Sequence, residues 1–234
     1  MQRIDTISLE NTLPAVFVGS ENDEPVASSQ VWMRQLTFER KSSDSATSGV
    51  NCYMVEAESG TGKSSLCAYI YGNRRDYRGR ILFDNSDIRM FTIGDWCEIR
   101  RRHLAYLPQE MNLFPELTAM ENVLIKNRLT DRYAVSEISR MLERLEIEHK
   151  SDVIAGRLSV GQQQRVAIIR SLCQPFDFLL LDEPVSHLDA RNNVETARLI
   201  LDVARENEAS VITTSVGNPL LLRDFPEKVV SVKL

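Results

Sequence analysis

The sequence predicts an α/β fold: a mostly parallel sheet flanked by helices, an antiparallel β subdomain at the N-terminal end, and an inserted α-helical subdomain. Three observations predict it. Phe178-Leu179-Leu180-Leu181 is a continuous apolar run ending in Asp182-Glu183, as expected of a parallel strand buried on both faces. A helix over 190–207 and strands over 211–214 and 229–232 continue the alternation from there. Residues 119–130, 134–147 and 160–173 carry helical periodicity, with Ile138, Met141, Leu142 and Leu145 on one stripe.

The remaining elements follow in chain order. Residues 4–17 alternate loosely (Ile4, Ile7, Leu9, then Val16 and Phe17) and predict a strand and turn. Residues 18–30 are polar and turn-rich, which predicts a surface loop. A strand over 31–38 and a polar loop over 41–48 come next, so two or three strands joined by such loops build the antiparallel sheet. Apolar residues from Cys52 to Val55 form a strand leading into a Gly/Ser-rich loop. Leu66 to Ile70 reads as the following helix, stopped at Gly72 and Asn73, and residues 79–84 as a further strand and turn. The expected partition is one domain, with 1–110 and 175–234 as core and β subdomain and 111–174 as the helical subdomain. There are no internal repeats or low-complexity tracts.

Bulk properties bound the function. A chain of 234 residues can bury one good core. Its net charge of −5 argues against a nucleic-acid partner, which normally shows as excess Lys and Arg. The one dense basic run, Arg100-Arg101-Arg102-His103, reads as a solvated face. Four cysteines (Cys52, Cys67, Cys97, Cys173) lack metal-ligand spacing and read as reduced core or near-core residues. Met1-Gln2-Arg3-Ile4-Asp5 begins no signal peptide, and no stretch approaches a membrane span. A soluble chain is expected, so any membrane role needs a partner.

The chemistry concentrates in Ala57-Glu58-Ser59-Gly60-Thr61-Gly62-Lys63-Ser64-Ser65, between the strand ending at Val55 and the helix beginning near Leu66. Small residues at Ser59, Gly60, Thr61 and Gly62 let successive backbone N–H groups converge on one anion. The helix N-terminus adds partial positive charge and Lys63 a full one. Ser64 offers a hydroxyl to a Mg²⁺ ion bridging two phosphates, and Ser65 beside it is a further nucleotide-binding candidate. The leading glycine of the usual pattern is Ala57, which fits where φ is negative. Asp182, at the carboxyl end of its strand, faces the same crevice and would hold Mg²⁺, while Glu183 could polarise an attacking water as general base. The core is therefore that of a P-loop NTPase.

With these motifs in order, the chain resembles the ATP-binding cassette (ABC) family across essentially its full length. Leu158-Ser159-Val160-Gly161-Gln162, then Gln163-Gln164-Arg165, is similar to that family's signature, with Val160 in place of a glycine. Ser159 would cap the helix that follows and turn its positive end, with Gly161 and Gln162, toward a γ-phosphate of ATP. Leu107-Pro108-Gln109-Glu110 matches the Q-loop, which implies that Gln109 reaches the Mg²⁺ and the attacking water. Ser186-His187-Leu188-Asp189 matches the D-loop, which implies Asp189 at a dimer seam. The segment from Asn112 to Val123 resembles the surface that grips a transmembrane partner. Phe17 is a candidate for stacking on adenine, and a core phenylalanine is the other reading. Trp32 and Phe38 read as sheet core.

The resemblance implies more. One chain carries one phosphate loop and one signature, so nucleotide would lie between two cassettes, most simply as a twofold homodimer. It implies an ATPase subunit powering a membrane transporter through ATP-driven dimerisation, held by a permease-type subunit at the cytoplasmic face of the membrane. The nearest branch is that of lipoprotein-release, macrolide-export and cell-division cassettes. A cell-division-type cassette, transmitting force without transport, is the alternative. Soluble chromosome or DNA-repair ATPases place long coiled coils between the two halves, and none is present here. One departure bears on rate. The family places a histidine just after the strand over 211–214, and Val216 occupies that slot; the chain's histidines are His103, His149 and His187. Slow or partner-dependent turnover is therefore expected.

Overall fold

A computed structural model describes residues 2–19, 24–40, 49–58 and 60–234. The loop expected at 41–48 and Ser59 lie outside the described residues. Five strands form a wholly parallel sheet in the order β6 (Leu104–Leu107), β7 (Phe178–Asp182), β8 (Ser210–Ser215), β3 (Asn51–Glu56), β9 (Lys228–Lys233). A second, antiparallel sheet runs β2 (Gln35–Glu39), β1 (Thr6–Pro14), β4 (Tyr77–Phe83), β5 (Ser86–Asp87).

Period-two alternation explains why the parallel strands are apolar throughout. In β7, Leu179 and Leu181 enter one core and Phe178 and Leu180 the other; in β3, Cys52 and Met54 face one side, Tyr53 and Val55 the other. The first core is roofed by α4 (Ala119–Asn127), α5 (Val135–Arg144), α6 (Val160–Leu172) and α7 (Ala190–Glu206). The second packs the antiparallel sheet with α2 (Lys63–Ile70) and α3 (Ile93–Arg102). Each fully buried Leu, Ile or Phe contributes roughly 1.5–3 kcal/mol, so β7 alone anchors both halves.

Several expectations are corrected. The region read as one loop over 18–30 contains a helical turn, α1 (Glu24–Ala27), with Val26 buried. The second strand begins at Gln35, because Met33 adopts φ +58° and breaks the extended run; Val31 and Trp32 are buried before it. Cys97 is exposed, while Cys52, Cys67 and Cys173 are buried, and all four are free. Helix α3 and strand β6 have no clear periodicity in the sequence. The basic run ends α3, and its members diverge. Arg101 and Arg102 pair with Glu98 at the surface, and Arg100 stacks on Tyr71 and Trp96.

His103, in contrast, is buried. Its Nδ1 lies 2.6 Å from Asp177 Oδ2, and Asp177 also accepts from Arg3 Nε (2.8 Å) and the Ile4 N–H (2.8 Å). Asp177 thus pins the N-terminal segment to the foot of β7. Burial alone would push its carboxyl up, but the bonds from His103, Ile4 and Arg3 outweigh it and hold the group below the usual carboxylate range. A depressed folded-state value means stabilisation is present above the unfolded value of about 4 and is lost as pH falls through the folded one. Asp177→Asn is expected to cost about 2–4 kcal/mol at pH 7, discounted for the partly exposed Arg3. Urea unfolding should show the gap to wild type closing in strong acid. A gap independent of pH would contradict the assignment.

Candidate nucleotide site

The parallel register sets the site. Asp182 pairs with Thr214, Glu56 with Ser215 and Leu107 with Leu181, so the turns leaving β3, β6, β7 and β8 open on one edge of the sheet. Ligands bind at such carboxyl edges because backbone N–H groups and helix N-termini converge there.

At the phosphate loop, Gly62 caps α2 with φ +99°, a left-handed conformation that favours glycine. A Cβ there would also lie 3.0 Å from the Trp32 ring and 3.4 Å from Phe17, so two aromatics pack close to the loop at Gly62. The Trp32 indole N–H donates to the Thr61 carbonyl (2.9 Å), which fixes the loop's path. Trp32 is buried as expected, yet it also braces the loop, which the sequence reading missed. Phe17 is half-buried against Gly62. Ala57 is not among the residues of positive φ, consistent with alanine replacing the leading glycine.

Lys63 is buried, with its ammonium donating to the Glu58 carbonyl (2.8 Å). The Ser64 hydroxyl donates to Gln109 Oε1 at 3.4 Å, joining the start of α2 to the turn after β6. A cleft of about 480 Å³ is lined by Ser64, Ser65, Tyr106, Pro108, Glu110 and Asp182, among others. Ser64 and Asp182 thus line one cleft with hydroxyl and carboxylate oxygens, and Gln109 adds an amide oxygen bonded to Ser64. This all-oxygen set without thiolate or imidazole suits Mg²⁺, which is held by one or two carboxylates plus phosphate oxygens and water.

Asp182 is 2% exposed, and its Oδ1 accepts from the Thr214 hydroxyl at 2.6 Å. Glu183, half-buried, stands in the left-handed region at φ +51°. Its N–H donates to Thr214 O (3.2 Å) and Oγ1 (3.3 Å). Thr214 therefore holds the Asp182 carboxylate and the Glu183 backbone, a role absent from the sequence reading. The signal was present: Thr213-Thr214-Ser215 is a polar end to a buried strand, and buried hydroxyls need partners.

Ser159 begins α6 with a reciprocal cap: its Oγ accepts from Gln162 N (3.3 Å), and Gln162 Oε1 accepts from Ser159 N (3.0 Å). Ser159 and Val160 are exposed at this helix end. Among the described residues, no hydrogen bond joins Ser159, Gly161 or Gln162 to the phosphate loop. Gly161 instead meets the 183–187 turn, where a Cβ would lie 2.9 Å from the His187 carbonyl. Asp189 caps α7 by accepting from Asn192 N (2.8 Å), and that bond with the Asn192 side chain holds its carboxyl below the usual range. Val216 follows β8 and is exposed, with no histidine near it in the sequence.

The ABC transporter family model matches residues 52–186. The lipoprotein-releasing system ATP-binding protein LolD of Rickettsia felis is 32% identical over 169 residues, 71% of this chain and 74% of that protein. The macrolide export ATP-binding/permease protein MacB of Shewanella is 30% identical over 191 residues, 79% of this chain and 28% of that protein. An uncharacterized ABC transporter ATP-binding protein of Mycobacterium tuberculosis is 33% identical over 174 residues, and the match spans about half of its length (53%). Among solved structures, the dimeric bacterial ABC transporter cassette MJ0796 superposes with a TM-score of 0.68 at 23% identity, covering 97% of this chain and 94% of that one. That likeness concerns the fold.

Proposed function

Because the chain belongs to the ABC transporter family as an ATP-binding cassette, we propose that it hydrolyses ATP to power a membrane transporter through ATP-driven dimerisation. The observation that carries this reading is the convergence of Lys63, Ser64, Gln109 and Asp182 on one edge of the sheet, with Glu183 next in the chain.

In this account Lys63 leaves the Glu58 carbonyl to bind the β- and γ-phosphates, while the N–H groups of residues 60–64 cradle them. Ser64, Asp182 and Gln109 would hold Mg²⁺, which when bound would supply charge neutralisation at the phosphates. Glu183, positioned by Thr214, takes a proton from the attacking water. The family resemblance assigns Ser159, Gly161 and Gln162 of a second copy to the γ-phosphate, with Asp189 at the seam; the exposed cap of α6 supports this. Phe17 lies against the loop in a place compatible with adenine contact.

Residues 111–174 act as the lever toward a permease. Arg170 of α6 donates to the carbonyls of Met111 and Asn112, just past Gln109, where both residues have left-handed φ. Buried Asn122 ties the turn at 114–118 through its amide, leaving Phe114 exposed on a rigid base for a partner to grip. Among the described residues no helix is long and apolar enough to cross a membrane. In this reading the work is delivered at the inner face through a permease-type subunit. Affinity capture from detergent-solubilised native membranes tests this: a protein with multiple membrane spans is expected, and recovery of the chain without one would contradict it. The captured protein also separates a transporter from a cell-division-type force transmitter.

Val216 leaves the γ-phosphate without the imidazole usual in the family. Val216→His is expected to raise kcat by at least about tenfold, within the ~2–4 kcal/mol that one such group supplies. Steady-state ATPase assays on the purified protein check it. An unchanged rate would show that valine there costs nothing.

A further inference from the structure

We propose that Gln164 is a positioning residue for hydrolysis: from within α6 it holds Glu183 in its left-handed backbone conformation and ties that conformation to the setting of the helix. The proposal rests on the reading of Glu183 as general base.

Left-handed backbone is disfavoured for a glutamate and persists only when its surroundings enforce it. Two clamps do so here. On the N-terminal side, the Glu183 N–H is taken by Thr214 O and Oγ1. On the other, the Glu183 carbonyl accepts from Gln164 Nε2 (3.2 Å) and the Ser186 hydroxyl (3.2 Å). Gln164 is 2% exposed, and its amide is almost fully used: Nε2 also donates to Ser186 Oγ (3.2 Å), and Oε1 accepts from the His187 N–H (3.0 Å). One amide thus grips three residues of the 183–187 turn.

The grip is repeated one turn earlier in the helix. Gly161, on the same face, packs so closely on the His187 carbonyl that a Cβ would lie 2.9 Å from it. Helix α6 therefore seats on the turn at two points, and a shift of the helix alters the bonds at Glu183. The same helix presents Ser159 at its start. Closure over nucleotide at one end is thereby linked to the geometry of the base in the same chain.

The test uses the full chain with Gln164→Met, isosteric without hydrogen-bonding groups, and Gln164→Glu, assayed at a pH where the carboxyl is ionised, which keeps an acceptor for His187 N–H and has no proton to donate to the Glu183 carbonyl. Both variants are expected to lose about tenfold or more in kcat with KM for ATP within about twofold, because positioning acts on the reacting geometry more than on binding. Amide exchange by NMR reads the clamp without activity. The Glu183 N–H, which bonds Thr214 and not Gln164, should exchange faster in Gln164→Met. An unchanged kcat in both variants, or a Glu183 amide exchanging at the wild-type rate, overturns the proposal. Wild-type protein that hydrolyses nothing, or that is unaffected by Glu183→Gln, counts instead against the reading of Glu183, and the exchange rate still decides the clamp. Melting temperatures identify a variant that merely fails to fold, in which case Gln164→Glu carries the comparison.

Discussion

Replacing Lys63 by alanine is expected to weaken ATP binding and cut hydrolysis by roughly 100-fold or more, the cost of removing one charged group from a developing phosphoryl charge. The expectation follows from placement. Lys63 is buried at the first turn of α2, and its ammonium donates back to the Glu58 carbonyl, beside the loop proposed to cradle the phosphates. Trp32 braces the same loop through Thr61, so the loop keeps its form when the lysine is lost. The variant should fold with a melting temperature near that of the wild type. Nucleotide titration and steady-state ATPase measure the effect, and a variant with wild-type affinity and rate would remove the loop from the site.

Glu183→Gln separates binding from chemistry. Glutamine has the same shape, leaves the backbone bonds to Thr214 and Gln164 in place, and removes only the proton acceptor. Hydrolysis should fall by about 100- to 10,000-fold, the range for a general base, while ATP affinity stays within a few-fold. With ATP persisting between two copies, the dimer should accumulate. Light scattering with Mg²⁺ and ATP is expected to show doubled mass, and without nucleotide a monomer. A variant that binds ATP yet stays monomeric would contradict the dimerisation reading.

How much of this was legible beforehand depends on the physics carrying each feature. Strands β3 and β7 announce themselves because burial on both faces demands unbroken apolar runs, and the loop at 57–65 because anion binding demands small residues and a lysine at fixed spacing. The cap at Ser159 was readable for the same local reason, with Gln162 three residues on. Long-range contacts were not. His103 reads as the end of a basic run, and only the pairing of β6 with β7 brings it to Asp177. Thr214 and Gln164 matter because strand register and helix packing deliver them to Asp182 and Glu183, 32 and 19 residues away. Helix α3 escaped notice because its inward face is short: Trp96 and Ile99 are its buried members.

ATP-driven dimerisation requires the triphosphate to be shared between copies. A structure of the Glu183→Gln protein with ATP and Mg²⁺ is predicted to show the phosphates against Lys63 of one copy and covered by Ser159 of another. Nucleotide seated at Lys63 with Ser159 of every neighbouring copy remote from it would contradict the account.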